Sequence, residues 1–500
     1  MTGLKVNRGD YVDPGSIPFE TEAPVADRSN GLLLEDDDGV TRFPPPKNAF
    51  EKGARRTDNN LFWSSTQLLN YTFGSTILNT GQVFSRSGIL AATLLCIIAG
   101  TAIYLSEVLL VFAAEVVSSG DAADAQQVAE SGSPATGSGA SIDELEYTVV
   151  AKRTLGRRGA KAVDTFIFVQ SFGSALGILI LLGGLTTSVL SEWTETETSS
   201  AFARLWYSFY FVMPVMVVLF VLPPSLIRHF SNVRLLAVFS VSALLAVVLL
   251  IVLGSPAYVQ DQTSSSDPDP ALSAPVRWWN WTGALSKVGS ILLAVNGAPA
   301  VFHSYNSMAT RTGREWKRAV GVSVTLGMVM YYMAGLVAYL SFRAATEADV
   351  LDNYEGVLAS CVKTLIVVHL VVYLPLEIII LRHSAFALVD GNVMETPFYV
   401  VLGVTLTIFA FLVGIVIGLM LGGIAEGDLF GYIADLTGGI SSSVICLVLP
   451  GLIYLEATRG IHSKPKVTWY RRGCYVTVVL GILTAFAVPT SVVLSALRYD

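Results

Sequence analysis

NYTFGSTILNTG, residues 70–81, and LLAVNGAPAVFHSYN, residues 292–306, are the two stretches on which the reading of the fold turns. Each lies in an apolar run long enough to cross a bilayer, and each is unsuited to remaining a regular helix there. In the first, Gly74 is followed by Ser75 and Thr76 in mid-run, with few large aliphatic side chains on either side. In the second, Asn296, Gly297 and Pro299 interrupt the run, because proline has no N–H to give to the helical ladder. Two broken helices are expected.

Around them the chain reads as an all-α membrane protein. Its 500 residues are 52% hydrophobic and only 14% charged, with a mean hydropathy of +0.58, whereas a soluble domain carries roughly 25% charged residues. Apolar runs fall near 66–85, 88–116, 161–190, 204–224, 233–254, 284–304, 319–342, 357–381, 397–423, 436–457 and 470–496. Each is long enough for a hydrocarbon core of ~30 Å, which gives about eleven transmembrane helices. The two breaks are then five spans apart. A unit of five helices, being odd, enters the membrane in the opposite sense when repeated, so the expected architecture is a 5+5 inverted repeat plus one helix. Interruptions at matching places in two inverted halves point to the central site of a transporter, where freed backbone N–H and C=O groups bind substrate. Close helix packing at small residues is the plainer reading of either break alone.

Residues 1–60 are polar, rich in proline, glycine and acids (LLLEDDDG at 32–39, FPPPKN at 43–48), and read as a disordered cytoplasmic tail. Residues 61–500 form the membrane domain. Within it 117–150, with SGSPATGSGAS at 131–141, reads as a flexible cytoplasmic loop. Lysine and arginine set the orientation. The segments on the side of the tail hold Lys52, Arg55 and Arg56, Lys152 to Lys161, Arg228 and Arg234, Arg311 to Arg318, Arg382, and Arg459 to Arg472. The opposite loops are acidic or polar: SEWTETETSS at 191–200, SSSDPDP at 264–270, ATEADVLDNYEG at 345–356 and AEGD at 425–428. The N-terminus is expected in the cytoplasm and the C-terminus outside or in a lumen, at the plasma membrane or a vacuolar or endosomal membrane. No basic leader with an apolar core opens the chain, so no cleavable signal peptide is expected.

The net charge of −7 offers no basic field for nucleic acid. Cys96, Cys361, Cys446 and Cys474 show no paired spacing, so they read as packing residues and neither a metal site nor a disulfide framework is expected. No nucleotide-binding loop and no nucleophile constellation stand in the chain, so no catalytic residues and no cofactor are expected. The partners expected are a small-molecule substrate and the lipid bilayer; the sequence names no protein partner. Asn280 heads an N-W-T sequon in a predicted outer loop and is the candidate glycosylation site.

The backbone at Gly74, Ser75, Thr76 and Ile77, and at Asn296, Gly297 and Ala298, supplies the candidate substrate contacts, with Asn70 and Gln170 beside them. Ionisable residues inside spans are costly there and functional by default. His369, Tyr373 and Glu377 recur one turn apart on one helix side, past Pro375, and are the candidate ion-coupling residues. A histidine of unperturbed pKa ~6.5 loads and releases a proton near neutral pH. Glu377 also lies one turn from Arg382 and His383, where it has a plain snorkelling or pairing role open to it. For Glu107 and His303, interhelical bonding or interfacial exposure is the expected role.

With these residues in place the chain resembles the amino acid/auxin permease family, of the leucine-transporter-like superfamily. That family's first helix runs Asn, then Gly-x-Gly-Ile-Leu-x-Leu-Pro-x-Ala-Phe, then Gly. Here Asn70, Gly74, Ile77, Leu78, Phe84 and Gly88 fall in register, with Thr76 at the second glycine and Gly81 at the proline. FVQSFGSALGILILLGG at 168–184, NGAPAVFHSYNSM at 296–308 (Ser307 at a common glutamate), VVYLPLEIIILR at 371–382 and GYIADLTGGISSSVICLVLPGLIYL at 431–455 are similar to further helices of the family. The resemblance implies a secondary active transporter of amino acids, co-transporting H⁺ or Na⁺. Sodium-coupled members tend to place a threonine just before the eighth helix's proline, near Tyr373 and Leu374, and its absence leans toward protons. A non-transporting amino acid sensor on the same scaffold is the alternative.

Overall fold

The computed structural model describes residues 34–35, 41–42, 61–130, 146–194, 208–226, 233–264, 271–389, 396–420, 426–460 and 465–496. The chain divides into a unit of residues 1–47 and one of residues 48–500. In the first, Leu34–Glu35 pairs antiparallel with Thr41–Arg42, Leu34 facing Arg42. The rest of the expected disordered tail lies outside the described residues.

The second unit is helical. The first span is α1 (Leu61–Thr72), a 3₁₀ turn (Ser75–Asn79) and α2 (Thr80–Ser87). Then come α3 (Ile89–Glu130), α4 (Tyr147–Thr194), α5 (Phe209–Met216), a π turn (Val217–Val221) and α6 (Leu222–Ser225). They are followed by α7 (Val233–Leu249) and, beyond a π turn (Leu250–Gly254), α8 (Ser255–Ser264). The sixth span is α9 (Trp281–Ala294), a 3₁₀ turn (Ala298–Ala300) and α10 (Val301–Asn306). The remainder comprises α11 (Gly313–Phe342), α12 (Val357–Leu388), α13 (Thr396–Met420), α14 (Glu426–Thr437), α15 (Leu449–Ala457) and α16 (Pro465–Ala496). Two π turns, Gly438–Ser442 and Val444–Val448, join α14 to α15.

Among the described residues nine helical stretches are long and apolar enough to cross a membrane. The expected eleven is not reached by that measure, for two physical reasons. The first span is cut by its own break, and Phe209–Ser225 is a shorter apolar helix carrying Pro214, Pro223 and Pro224. The described parts of the segment expected to be a flexible loop, 117–130 and 147–150, are helical; 131–145 lies outside the described residues. DAADAQQVAE at 121–130 is made mostly of good helix formers, which carries α3 onward. The third span also begins earlier than 161, in a helix kinked at Gly156 (φ 73°).

Local chemistry places the ends. Thr312 caps α11 by accepting from the Glu315 N–H at 3.2 Å. Gly88, at φ 84°, turns the chain from α2 into α3 where a Cβ would lie 2.7 Å from the Trp278 carbonyl carbon. That contact belongs to a strap: Ile89 and Leu90 donate to the carbonyls of Arg277 and Trp278, and Asn280 donates to that of Ser87. The helices carrying the breaks are the inner ones. In the Trp281–Asn306 stretch 78% of the apolar part is buried, against 22% for Val400–Ile417 and for Val467–Leu494, which present Phe409, Leu483 and Phe486 outward as lipid-facing helices do.

The connection from α11 to α12 is also packed. Asp349 accepts from the Leu351 N–H at 3.0 Å and is 2% exposed. Burial, with Asp352 adding to it, holds the Asp349 carboxyl well above its ordinary value of 3.8. The folded state therefore keeps a proton that the unfolded chain gives up, and the stability this contributes is complete below the unfolded value and is lost as pH rises through the folded one. Asp349→Asn is expected to raise Tm at neutral pH and to leave it unchanged near pH ~4. A fall in Tm at neutral pH would show that the charged carboxylate is needed there.

Candidate functional site

The two breaks meet in the middle of the bundle. After α1, Phe73 still donates to Leu69 O at 2.8 Å, and the chain then opens at Gly74 until Ile77 donates to Gly74 O at 3.3 Å. The N–H groups of Ser75 and Thr76 thus precede the first internal bond of the new turn, where helix donors are left for other acceptors. In the sixth span α9 stops at Ala294 and the helix resumes at Ala298.

The second break is tied down from three sides. Asn296 Nδ2 donates to Gln170 Oε1 (2.5 Å) and Ser442 Oγ (3.0 Å), while its Oδ1 accepts from Cys446 Sγ (2.7 Å) and the Ala298 N–H (3.2 Å). The Gly297 N–H donates to Glu107 Oε1 at 3.1 Å. Glu107, 1% exposed, thus has the interhelical role expected of it. Its Oε2 has no hydrogen-bond partner among the described residues. Cys446 does more than pack, since its thiol helps hold Asn296.

A cavity of about 50 Å³ opens between the breaks, room for a few water-sized groups. Of the expected residues, Gly74, Ser75, Thr76, Gln170, Asn296, Tyr373 and Glu377 line it. Asn70, Ile77, Gly297, Ala298 and His369 are buried around it or nearby without lining it. Asn70 is 1% exposed, and neither of its amide atoms has a hydrogen-bond partner among the described residues. Ile77 packs with Ile178 and Leu179 in the apolar core. Tyr373 donates to Glu377 Oε1 at 3.1 Å, and its ring stacks on His369 with centroids 5.6 Å apart. The sequence reading missed Tyr71, Thr72, Ser174, Phe430 and Ile433, which also line the cavity. Gly173 and Gly177, one turn apart, were the available signal for the third span: a Cβ on Gly173 would lie 2.1 Å from Thr437 Oγ1. His303 sits with its ring 6.3 Å from that of Tyr71. Asn280 Nδ2, the atom a glycan would occupy, donates to Arg86 O at 2.9 Å.

Next to the cavity, α2, α9 and α14 are joined by a buried polar network. Lys287 Nζ donates to Asp435 Oδ2 (2.7 Å) and Gln82 Oε1 (2.6 Å). Asp435 Oδ1 accepts from Ser290 Oγ at 2.5 Å, and Asn79 Nδ2 donates to the same Ser290 oxygen at 3.1 Å. Helices α9 and α14 touch backbone to backbone here, since a Cβ on Gly289 would lie 1.9 Å from Asp435 O. Ala434 faces the small cavity, and Asp435 lines a separate one of about 180 Å³.

Comparison with known proteins agrees with this layout. The chain is 25% identical over 378 residues to the amino acid transporter AVT6C of Arabidopsis thaliana, covering 70% of this chain and 79% of that one. It is 22% identical over 352 residues to the sodium-coupled neutral amino acid transporter 7 of Danio rerio, covering 68% and 72%. Among solved structures, that of MhsT in complex with L-phenylalanine superposes with a TM-score of 0.52 at 12% identity, over 87% of this chain and 100% of that one. This likeness establishes the leucine-transporter-like fold. The family model described as transmembrane amino acid transporter protein matches residues 60–494, and the chain belongs to that family.

Proposed function

We infer that this chain is a secondary active transporter of amino acids, working by alternating access, with substrate held between the interrupted first and sixth spans. The observation that carries the reading is the polar cavity formed where the two breaks meet, lined by Gly74, Ser75, Thr76, Gln170 and Asn296. Open backbone there suits the carboxylate and ammonium of an amino acid, and the side chains fixing Asn296 keep the second break rigid while substrate binds. The N-terminus faces the cytoplasm in this reading, which the distribution of loop lysines and arginines favours.

Coupling is to a cation gradient, protons before Na⁺, and Glu377 is its group. Its carboxylate lines the cavity and accepts from Tyr373 on its own helix, so a proton taken up there sits beside the substrate. His369 stacks behind Tyr373 and acts by holding that ring. In proteoliposomes, an imposed pH gradient should drive uptake and a Na⁺ gradient alone should not. Glu377→Gln should lower the pH-driven uptake by about tenfold or more. Uptake driven by Na⁺ and indifferent to Glu377 would replace the proton with sodium.

Gly74 separates site from scaffold. A Cβ there would meet Tyr373 only at 3.8 Å, an ordinary contact. Gly74→Ala should therefore fold and carry reduced flux, while Gly74→Phe should fill the cavity and abolish flux in protein that still reaches the membrane. Normal flux in Gly74→Phe would remove the site from this place.

A further inference from the structure

Five of the ten residues 152–161 are lysine or arginine, and none is acidic. They stand where α4 bends at Gly156, before its apolar run crosses the bilayer. Lys152, Arg153, Arg157 and Arg158 are exposed, and Lys161 is half-buried. The basic stretch 311–318 differs, because Glu315 lies within it and pairs with Arg318 at 3.7 Å. On either side of the bend, in residues 146–164, the acids are Glu146 and Asp164. Asp164 is engaged across the bend, accepting from Thr148 Oγ1 at 2.6 Å.

The bend is built into the sequence. Gly156 has φ 73°, which side chains rarely adopt, and a Cβ there would meet no atom within 4 Å. The glycine therefore serves the turn of the chain and not its packing. Before it, Tyr147, Val150 and Ala151 are buried at helical spacing while Lys152 and Arg153 stay exposed, so this short stretch is amphipathic. Tyr147 fixes its inner face: the hydroxyl donates to Ile445 O at 2.7 Å, and the ring lies 6.2 Å from that of Phe302. An amphipathic stretch with outward cations at the end of a membrane span is the arrangement by which helices bind charged headgroups. Phosphate oxygens are strong acceptors for clustered guanidinium groups.

We propose that the bend at 147–161 is a docking surface for anionic phospholipid of the leaflet it borders, with Lys152, Arg153, Arg157 and Arg158 on the headgroups. The partner is the bilayer because the cations stand at the end of a span, at headgroup level, and no acid among residues 152–161 offsets them. A free anion would bring the same charge without the anchorage of its chains. What docks here bears on the centre of the bundle. Ile445, whose carbonyl Tyr147 engages, precedes Cys446, whose thiol donates to Asn296 at the second break. The inference is independent of what the protein carries.

Binding of dioctanoyl phosphatidylserine to the purified full chain in a neutral detergent tests it, with dioctanoyl phosphatidylcholine as the neutral lipid and glycerophosphoserine as the headgroup without chains. The wild type should prefer phosphatidylserine to phosphatidylcholine by about tenfold or more at low salt and lose most of that preference at high salt. Lys152→Gln, Arg153→Gln, Arg157→Gln and Arg158→Gln together should remove the preference. The charge-keeping set Lys152→Arg, Arg153→Lys, Arg157→Lys and Arg158→Lys should retain it, a separation that misfolding would not produce. Arg314→Gln with Lys317→Gln should also retain it. An unchanged preference in the fourfold glutamine variant, or an equal loss in the Arg314 and Lys317 variant, overturns the proposal. Competition by glycerophosphoserine as strong as that by the lipid overturns it in favour of a soluble anion.

Discussion

Gly297→Ala is expected to abolish transport and to lower stability by about 3 kcal/mol or more, a larger loss than the Gly74 variants should show. The backbone conformation is not the obstacle, because Gly297 has φ −94° and ψ −4°, which any residue adopts. Space is the obstacle. The added Cβ would lie 2.5 Å from Glu107 Oε1, 2.9 Å from Thr72 Oγ1 and 3.2 Å from Leu68 Cδ1. Glu107 cannot move aside without releasing the Gly297 N–H it accepts from, leaving a buried donor and a buried carboxylate unpaired at once. Thermal unfolding of purified variants measures the effect. In a Glu107→Ala background the clash with the carboxylate is gone, so Gly297→Ala should cost clearly less there. An equal cost in both backgrounds would mean that Glu107 is not what confines the glycine.

The second large effect concerns the pair Lys287 and Asp435, whose side chains are 6% and 1% exposed. Asp435→Leu strands a buried ammonium with Gln82 as its remaining acceptor from this network, and should destabilise the protein by about 3–5 kcal/mol. Lys287→Met strands the carboxylate instead and should cost a similar amount. Replacing both should recover most of the loss, because two apolar side chains leave no uncompensated charge. If the double variant is as unstable as the sum of the singles, the pair does not act as a unit.

Much of this architecture could be read from local sequence. Hydropathy marks spans because the bilayer imposes one length on every crossing, and the breaks show because Gly74, Gly297 and Pro299 lack what a lipid-embedded helix requires. Loop charge likewise needs only composition. The Ala- and Gln-rich extension of α3 was misjudged because the Ser- and Gly-rich stretch after it dominated the reading of the whole segment. The partners of Asn296 are another matter: Gln170 lies 126 residues away, Ser442 146 and Cys446 150. Lys287 and Asp435 are 148 apart. No period or motif connects such residues; only the packing of spans three, six and ten brings them together. The same holds for Asn70, whose place in the family motif suggested a contact that the folded first span does not direct into the cavity.

An amino acid is proposed to bind between the two breaks and to cross there. Counterflow in liposomes holding the purified protein tests it most directly: vesicles are loaded with unlabelled amino acids and entry of labelled ones is followed without any ion gradient. Transient accumulation is expected with the wild type for at least one amino acid, reduced with Gly74→Ala and absent with Gly74→Phe and Gly297→Ala. No exchange of any amino acid by well-folded wild-type protein would contradict it, and would leave a sensor on a transporter's scaffold.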